Sequence, residues 1–77
     1  MPTVLRFGAN RIFFYSREHP PPHVHVESSD CRAVFELRPV RLVRSRGYTR
    51  RQLSELREVI VEHRFQFLRR WHDHFHG

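Results

Sequence analysis

The stretch HPPPHVHV, residues 19–26, puts three histidines and three prolines into eight positions. Imidazole titrates near neutral pH and is also a common metal ligand, so closely spaced histidines invite two chemistries. In an extended strand, residues two apart share a face. His23, His25 and Glu27 then project to one side, and Val24 and Val26 to the other. Two imidazoles and a carboxylate so arranged suit a divalent ion such as zinc. They also suit a general acid and base acting on one substrate. The prolines hold His19 nearby. His63, from the second half of the chain, completes the group provided that a helix covers the histidine face of the strand. If the valines form the core instead, His63 has other neighbours. A purely structural reading then stands beside the chemical ones, with His63 bonded to a backbone carbonyl and the strand histidines as ordinary polar positions. His23, His25 and His63 are thus the candidate catalytic residues and, under the zinc reading, the candidate ligands.

Other reactive side chains say less. WHDHFHG at the C-terminus holds His72, His74 and His76, whose two-residue spacing does not align on a helix, so a frayed polar tail is expected. His72 and His76, one turn apart, offer at most an adventitious site for nickel or zinc. Cys31 is the single cysteine, which excludes an intrachain disulfide and fits a reducing cytosol. It reads as a small core residue.

The elements that must position these groups follow from the patterning of 77 residues, enough for one domain with a modest core. TVLRF and RIFFYS are rich in β-branched and aromatic residues, and GAN between them has hairpin-turn chemistry. REHPPP is a stiff, extended connector. HVHVES resumes the alternation, SSD is a turn, and CRAVFEL sets Cys31, Ala33, Phe35 and Leu37 against Arg32, Val34 and Glu36. Pro39 ends or kinks that run, and VRLVR is expected as a short edge strand. TRRQ has the form of a capping box, with Thr49 as N-cap and Gln52 three residues on. From about Arg50 to Asp73 or beyond, the stripe Leu53, Leu56, Ile60, Phe67, Trp71 predicts one long helix, with His63 filling a gap on its buried face. The expected fold is α+β: a three- to four-stranded antiparallel sheet (residues 1–48) with one C-terminal helix (49–76) across it, ββββα. A sheet covered on one side invites a partner or a second copy, so a dimer is expected.

Charge narrows the partners. Fourteen arginines, no lysine and eight acids give a net charge of +6. From Arg38 to Ser54 there are six arginines and no acid. Arg41, Arg44, Arg46, Arg50 and Arg51 are accordingly the candidate contacts to a phosphate backbone or an acidic partner, with a solvated basic face as the plain alternative. The chain lacks an apolar run of membrane-spanning length and an apolar signal region at its start, so a cytoplasmic, membrane-free protein is expected.

MPTVLRF, FFYSREHPPPHVHVE and the helical EHRFQFLRRW together resemble the small prokaryotic domain-of-unknown-function family 4160 over nearly the whole chain. The family pattern EH-x-PPH-x-HV maps onto Glu18, His19, Pro21, Pro22, His23, His25 and Val26, with Pro20 in the variable slot. Trp71 and the Glu62–His63 pair match it too. The resemblance implies a single-domain bacterial or archaeal protein, often encoded beside another small domain in a toxin–antitoxin-like pair. It implies no established reaction. The expected function is therefore a small basic component of such a pair, binding its cognate protein from the adjacent gene, RNA or DNA, or both. The alternatives are a histidine-dependent ribonuclease-like toxin and a zinc-binding domain built on the His-Val-His strand. No other cofactor is expected.

Overall fold

Alternating apolar residues along the first half of the chain build five strands, one more than the upper expected count. They are β1 (Thr3–Phe7), β2 (Asn10–Phe13), β3 (His23–Ser28), β4 (Cys31–Leu37) and β5 (Val40–Arg46), followed by α1 (Arg50–His76). The computed structural model describes residues 3–15 and 17–76, with the side chains of Thr3 and His76 outside it. All neighbours are antiparallel, in the order β1-β2-β3-β4-β5. The additional strand arises because both arms of the N-terminal hairpin join the sheet: β2 pairs onward with β3, setting Ile12 opposite Val26. The α+β class and the antiparallel sheet with one long C-terminal helix are as expected.

Short turns make this meander possible. Gly8, at φ 59°, opens the two-residue turn between Phe7 and Asn10, a conformation that suits a residue without a Cβ. Ser29–Asp30 joins β3 to β4, and Arg38–Pro39 joins β4 to β5, so Pro39 does end its strand. β5 is an edge strand, with a bulge where Val43 is the extra residue against Val34 and Phe35.

The expected capping box is present in both directions. Thr49 N–H donates to Gln52 Oε1 at 2.8 Å, and Gln52 N–H donates to Thr49 Oγ1 at 3.1 Å. From that start, Leu56, Ile60, Phe67 and Trp71 bury one stripe of α1 against Ile12, Phe14, Val24, Val26, Ala33, Phe35 and Leu37. Full burial of each such side chain contributes about 1.5–3 kcal/mol, the main favourable term for a domain of this size. Tyr48 ties the lead-in of the helix to the first hairpin by donating to Asn10 Oδ1 at 2.8 Å. Burial, reinforced by Cys31 and Glu27, pushes its phenol up to about 12.

The valine side of β3 is therefore the side that α1 covers. His23 and His25 share the opposite face.

Candidate functional site

The connector between β2 and β3 brings the decisive group into place. Leu37 N–H donates to the Pro22 carbonyl at 3.0 Å, one step beyond the His23–Glu36 pair, so the proline run joins the ladder as an acceptor only. Proline has no N–H to donate, and here none is required. Upstream, Tyr15 N–H donates to Glu18 Oε1 at 3.2 Å. This aims the Glu18 carboxylate at the start of β3. Glu18 Oε1 lies 2.7 Å from His25 Nε2, and Oε2 lies 2.9 Å from His23 Nε2. One carboxylate bridges two imidazoles.

Each ring is held by its surroundings. His23 Nδ1 is 2.9 Å from the Pro21 carbonyl, which can only accept, so Nδ1 carries the hydrogen. Nε2 of the same ring faces a Glu18 carboxylate oxygen. The His25 ring stacks on Phe13 at 5.5 Å between centroids and meets Tyr15 edge-on at 4.8 Å. His23 is packed against Trp71 at 5.0 Å. The 27-residue helix, about 40 Å long, outruns strands of about 24 Å, and its last turns bring Trp71 to His23 at the start of β3. All three side chains are mostly shielded: 10% exposed for Glu18, 15% for His23 and 16% for His25.

Electrostatics follow from that setting. Burial pushes the Glu18 carboxyl up, but the hydrogen bonds from Tyr15 and His25, with the nearby imidazoles, outweigh it and hold the group below the usual carboxylate range. For His25 burial dominates and lowers the imidazole, with His23 and Arg44 acting in the same direction, against the opposing pull of Glu18. The three groups open onto a concavity of about 300 Å³ that His19, Val34, Glu36, Val43 and Arg44 also line. Such a set can exchange a proton with a ligand or hold a divalent ion.

A family model matches residues 10–72: a domain of unknown function, DUF4160. The chain belongs to this family. No curated protein and no solved structure matches it. The matched span of the DUF4160 domain takes in the whole Glu18–His23–His25 group and Trp71.

The structure of the DUF4160 domain unites some expected residues and separates others. His23 and His25 share a face, as strand geometry requires. His63 is not with them. The helix lies over the valines, and His63 Nδ1 donates to the Val59 carbonyl at 2.9 Å while its ring stacks on Phe67. Being two helical turns before Trp71, it sits about 12 Å short of the turn that reaches His23. The carboxylate is also a different one: Glu27 is taken by Arg11 at 3.1 Å and Arg32 at 3.7 Å, and Glu18 fills the role instead. Glu18 was visible in the sequence only as part of the family pattern, because its closeness to His25 depends on the fold of the connector. His72 and His74 are exposed on the last helical turns, and the His76 side chain lies outside the described residues.

The arginines divide. Arg41 pairs with Glu36 at 2.8 Å, and Arg51 with Glu55 at 3.5 Å. Among the described residues, Arg44, Arg46 and Arg50 form no ion pair. Arg44 and Arg46 line, with Arg32, a small concavity of about 230 Å³ on the sheet.

Periodicity also held a feature that the core stripe obscured. Val61, Phe65 and Leu68 follow i, i+4, i+7 spacing on a second flank of α1. With Leu37, Pro39 and Val40 they floor a groove of about 740 Å³, and Arg38, Arg57, Arg64 and Arg69 also line it.

Proposed function

We propose that this DUF4160 domain acts by binding a partner protein, as the small basic member of a toxin–antitoxin-like pair in the cytoplasm. The observation that supports this reading is Phe65, which lines the helix-side groove and is 72% exposed. An aromatic side chain in that position gains about 1.5–3 kcal/mol when covered, and buried aromatics with arginine are the usual anchors of protein interfaces. Arg64 lies over the Phe65 ring at 4.6 Å. Four arginines around an apolar floor select an acidic, amphipathic segment, so the occupant is a segment of the cognate protein with acids flanking its apolar face. A second copy of this chain, itself at +6, is the poorer match. On the outer sheet face Phe13 and Val34 are buried, with the Arg11 guanidinium 4.3 Å over the Phe13 ring, and Tyr15 and Val43 are the exposed apolar residues.

The test is co-expression with the product of the adjacent gene, followed by affinity measurement and sedimentation. A one-to-one complex is expected, and Phe65→Ser should weaken it at least tenfold. The same change costs the free protein only a few tenths of a kcal/mol in helix propensity. Wild-type affinity in Phe65→Ser and in Arg64→Glu would remove the groove from the reading. A stable homodimer abolished by Phe65→Ser would reassign the groove to a second copy.

A second reading is supported by Arg44. It lines both the histidine concavity and the concavity shared with Arg32 and Arg46. A phosphodiester held by those guanidiniums would lie next to His25 and Glu18, the parts that acid–base cleavage of RNA requires. His63 has no part in this version.

A further inference from the structure

We propose that Glu18, His23 and His25 form a binding site for a divalent metal ion of the zinc class. One ligand atom from each residue, a carboxylate oxygen and two imidazole nitrogens, lies within 4.8 Å of the other two. In a tetrahedral zinc site with bonds of about 2.0–2.2 Å, ligand atoms stand about 3.3 Å apart. The separations of 2.7 Å to His25 and 2.9 Å to His23 run to different oxygens of Glu18, so a single ligand oxygen draws nearer one imidazole and away from the other, within the 4.8 Å that the three ligand atoms already span.

Pro21 supplies the feature that separates a ligand histidine from a merely buried one. Metal-bound imidazoles characteristically donate their other ring N–H to a carbonyl or carboxylate, which fixes the tautomer and aims the lone pair. The Pro21 carbonyl does this to His23, leaving Nε2 as the ligand atom directed at Glu18. The rings are also held in place, His23 against Trp71 and His25 on Phe13 and Tyr15. Metal selection follows from the donor set. Two nitrogens and one oxygen without thiolate suit zinc and its neighbours, whereas magnesium and calcium favour all-oxygen shells. Three protein ligands would leave a fourth position for water or a ligand, and all three residues line the concavity that Arg44 also lines.

Proton balance is simple. The ion displaces any proton lying between a ring Nε2 and Glu18, and that proton passes to solvent or to the free Nδ1 of His25. Affinity therefore rises with pH. The site lies on the sheet side of the molecule and does not depend on the partner groove, so Phe65→Ser leaves it unchanged.

The experiment is titration of the untagged full chain with Zn²⁺ against a chromophoric competitor, with imidazole nitrogens followed by NMR in the wild-type protein. Expected are one ion per chain with Kd below 1 µM, and shifts at Nε2 of His23 and His25 while His63 is unmoved. Glu18→Gln and His25→Gln should each weaken binding at least tenfold, and a variant with His72, His74 and His76 changed to Gln should bind as wild type. Kd above 100 µM, or NMR shifts confined to His72, His74 and His76, would overturn the proposal. Because the NMR arm uses the unaltered chain, a variant that fails to fold does not obscure the result.

Discussion

His25 is pulled two ways: burial lowers its affinity for a proton, Glu18 raises it, and burial wins. The unfolded chain, at the ordinary imidazole value of 6.5, then binds the proton more readily than the folded one. This contribution to stability is complete above about pH 6.5 and is lost as pH falls through the lower folded value. Glu18 has the same sign one step further down. Its carboxyl is held below 4.5, so its stabilisation is present above that pH and lost on further acidification. Thermal melts should therefore show the midpoint dropping as pH falls below about 6.5 and again below about 4.5. His25→Gln keeps a donor to Glu18 but cannot titrate, and should flatten the upper drop. An unchanged profile in that variant would mean that His25 binds its proton equally in both states. Both histidines were legible as a same-face pair from spacing alone. Their partner was not, since Glu18 reaches them only through a turned connector.

Two elements carry local tests. The reciprocal Thr49–Gln52 bonds satisfy donors at the start of α1, so Thr49→Ala should cost about 1 kcal/mol in urea denaturation. Gly47, at φ 89°, adds a second demand: a Cβ there would lie 3.0 Å from Cys31 Sγ and 3.2 Å from its Cα. Left-handed strain alone costs about 1–2 kcal/mol, so Gly47→Ala should destabilise more than Thr49→Ala. The reverse order would show that the Gly47 turn relaxes freely. The capping box could be read directly, because it is a contact between residues three apart. The strand total could not, because whether the arms of the first hairpin enter the main sheet depends on a pairing of β2 with a segment beyond the prolines. The second apolar flank of α1 was present as i, i+4, i+7 spacing, but Phe65 gains meaning only beside the β4–β5 turn.

For the molecule as a whole, one long helix over one sheet gives two surfaces of different character. The helix side offers an apolar groove edged by arginine. The sheet side carries the histidine–glutamate group with Arg44 between two concavities. Among the described residues, no helix is long and apolar enough to cross a membrane. If the sheet side meets RNA, binding should weaken steeply between low and moderate salt, and Arg44→Ala should reduce the salt dependence by about one phosphate contact. Cleavage would then be lost in His25→Ala and retained in His63→Ala. Binding indifferent to salt would dismiss the nucleic-acid reading and leave the protein groove standing.

Sequence alone determined whatever depends on neighbours along the chain: the strand and helix periods, the helix start, the proline stop after β4, and the shared side of His23 and His25. It also set the acid-free arginine segment. Hydrophobicity favoured the valine face of β3 as core, and the tertiary structure decided it, because the choice rests on what α1 can cover without stranding polar groups. That one choice moved His63 away from the strand histidines and left room for Glu18. Side chains distant in sequence meet only after the sheet and helix have packed.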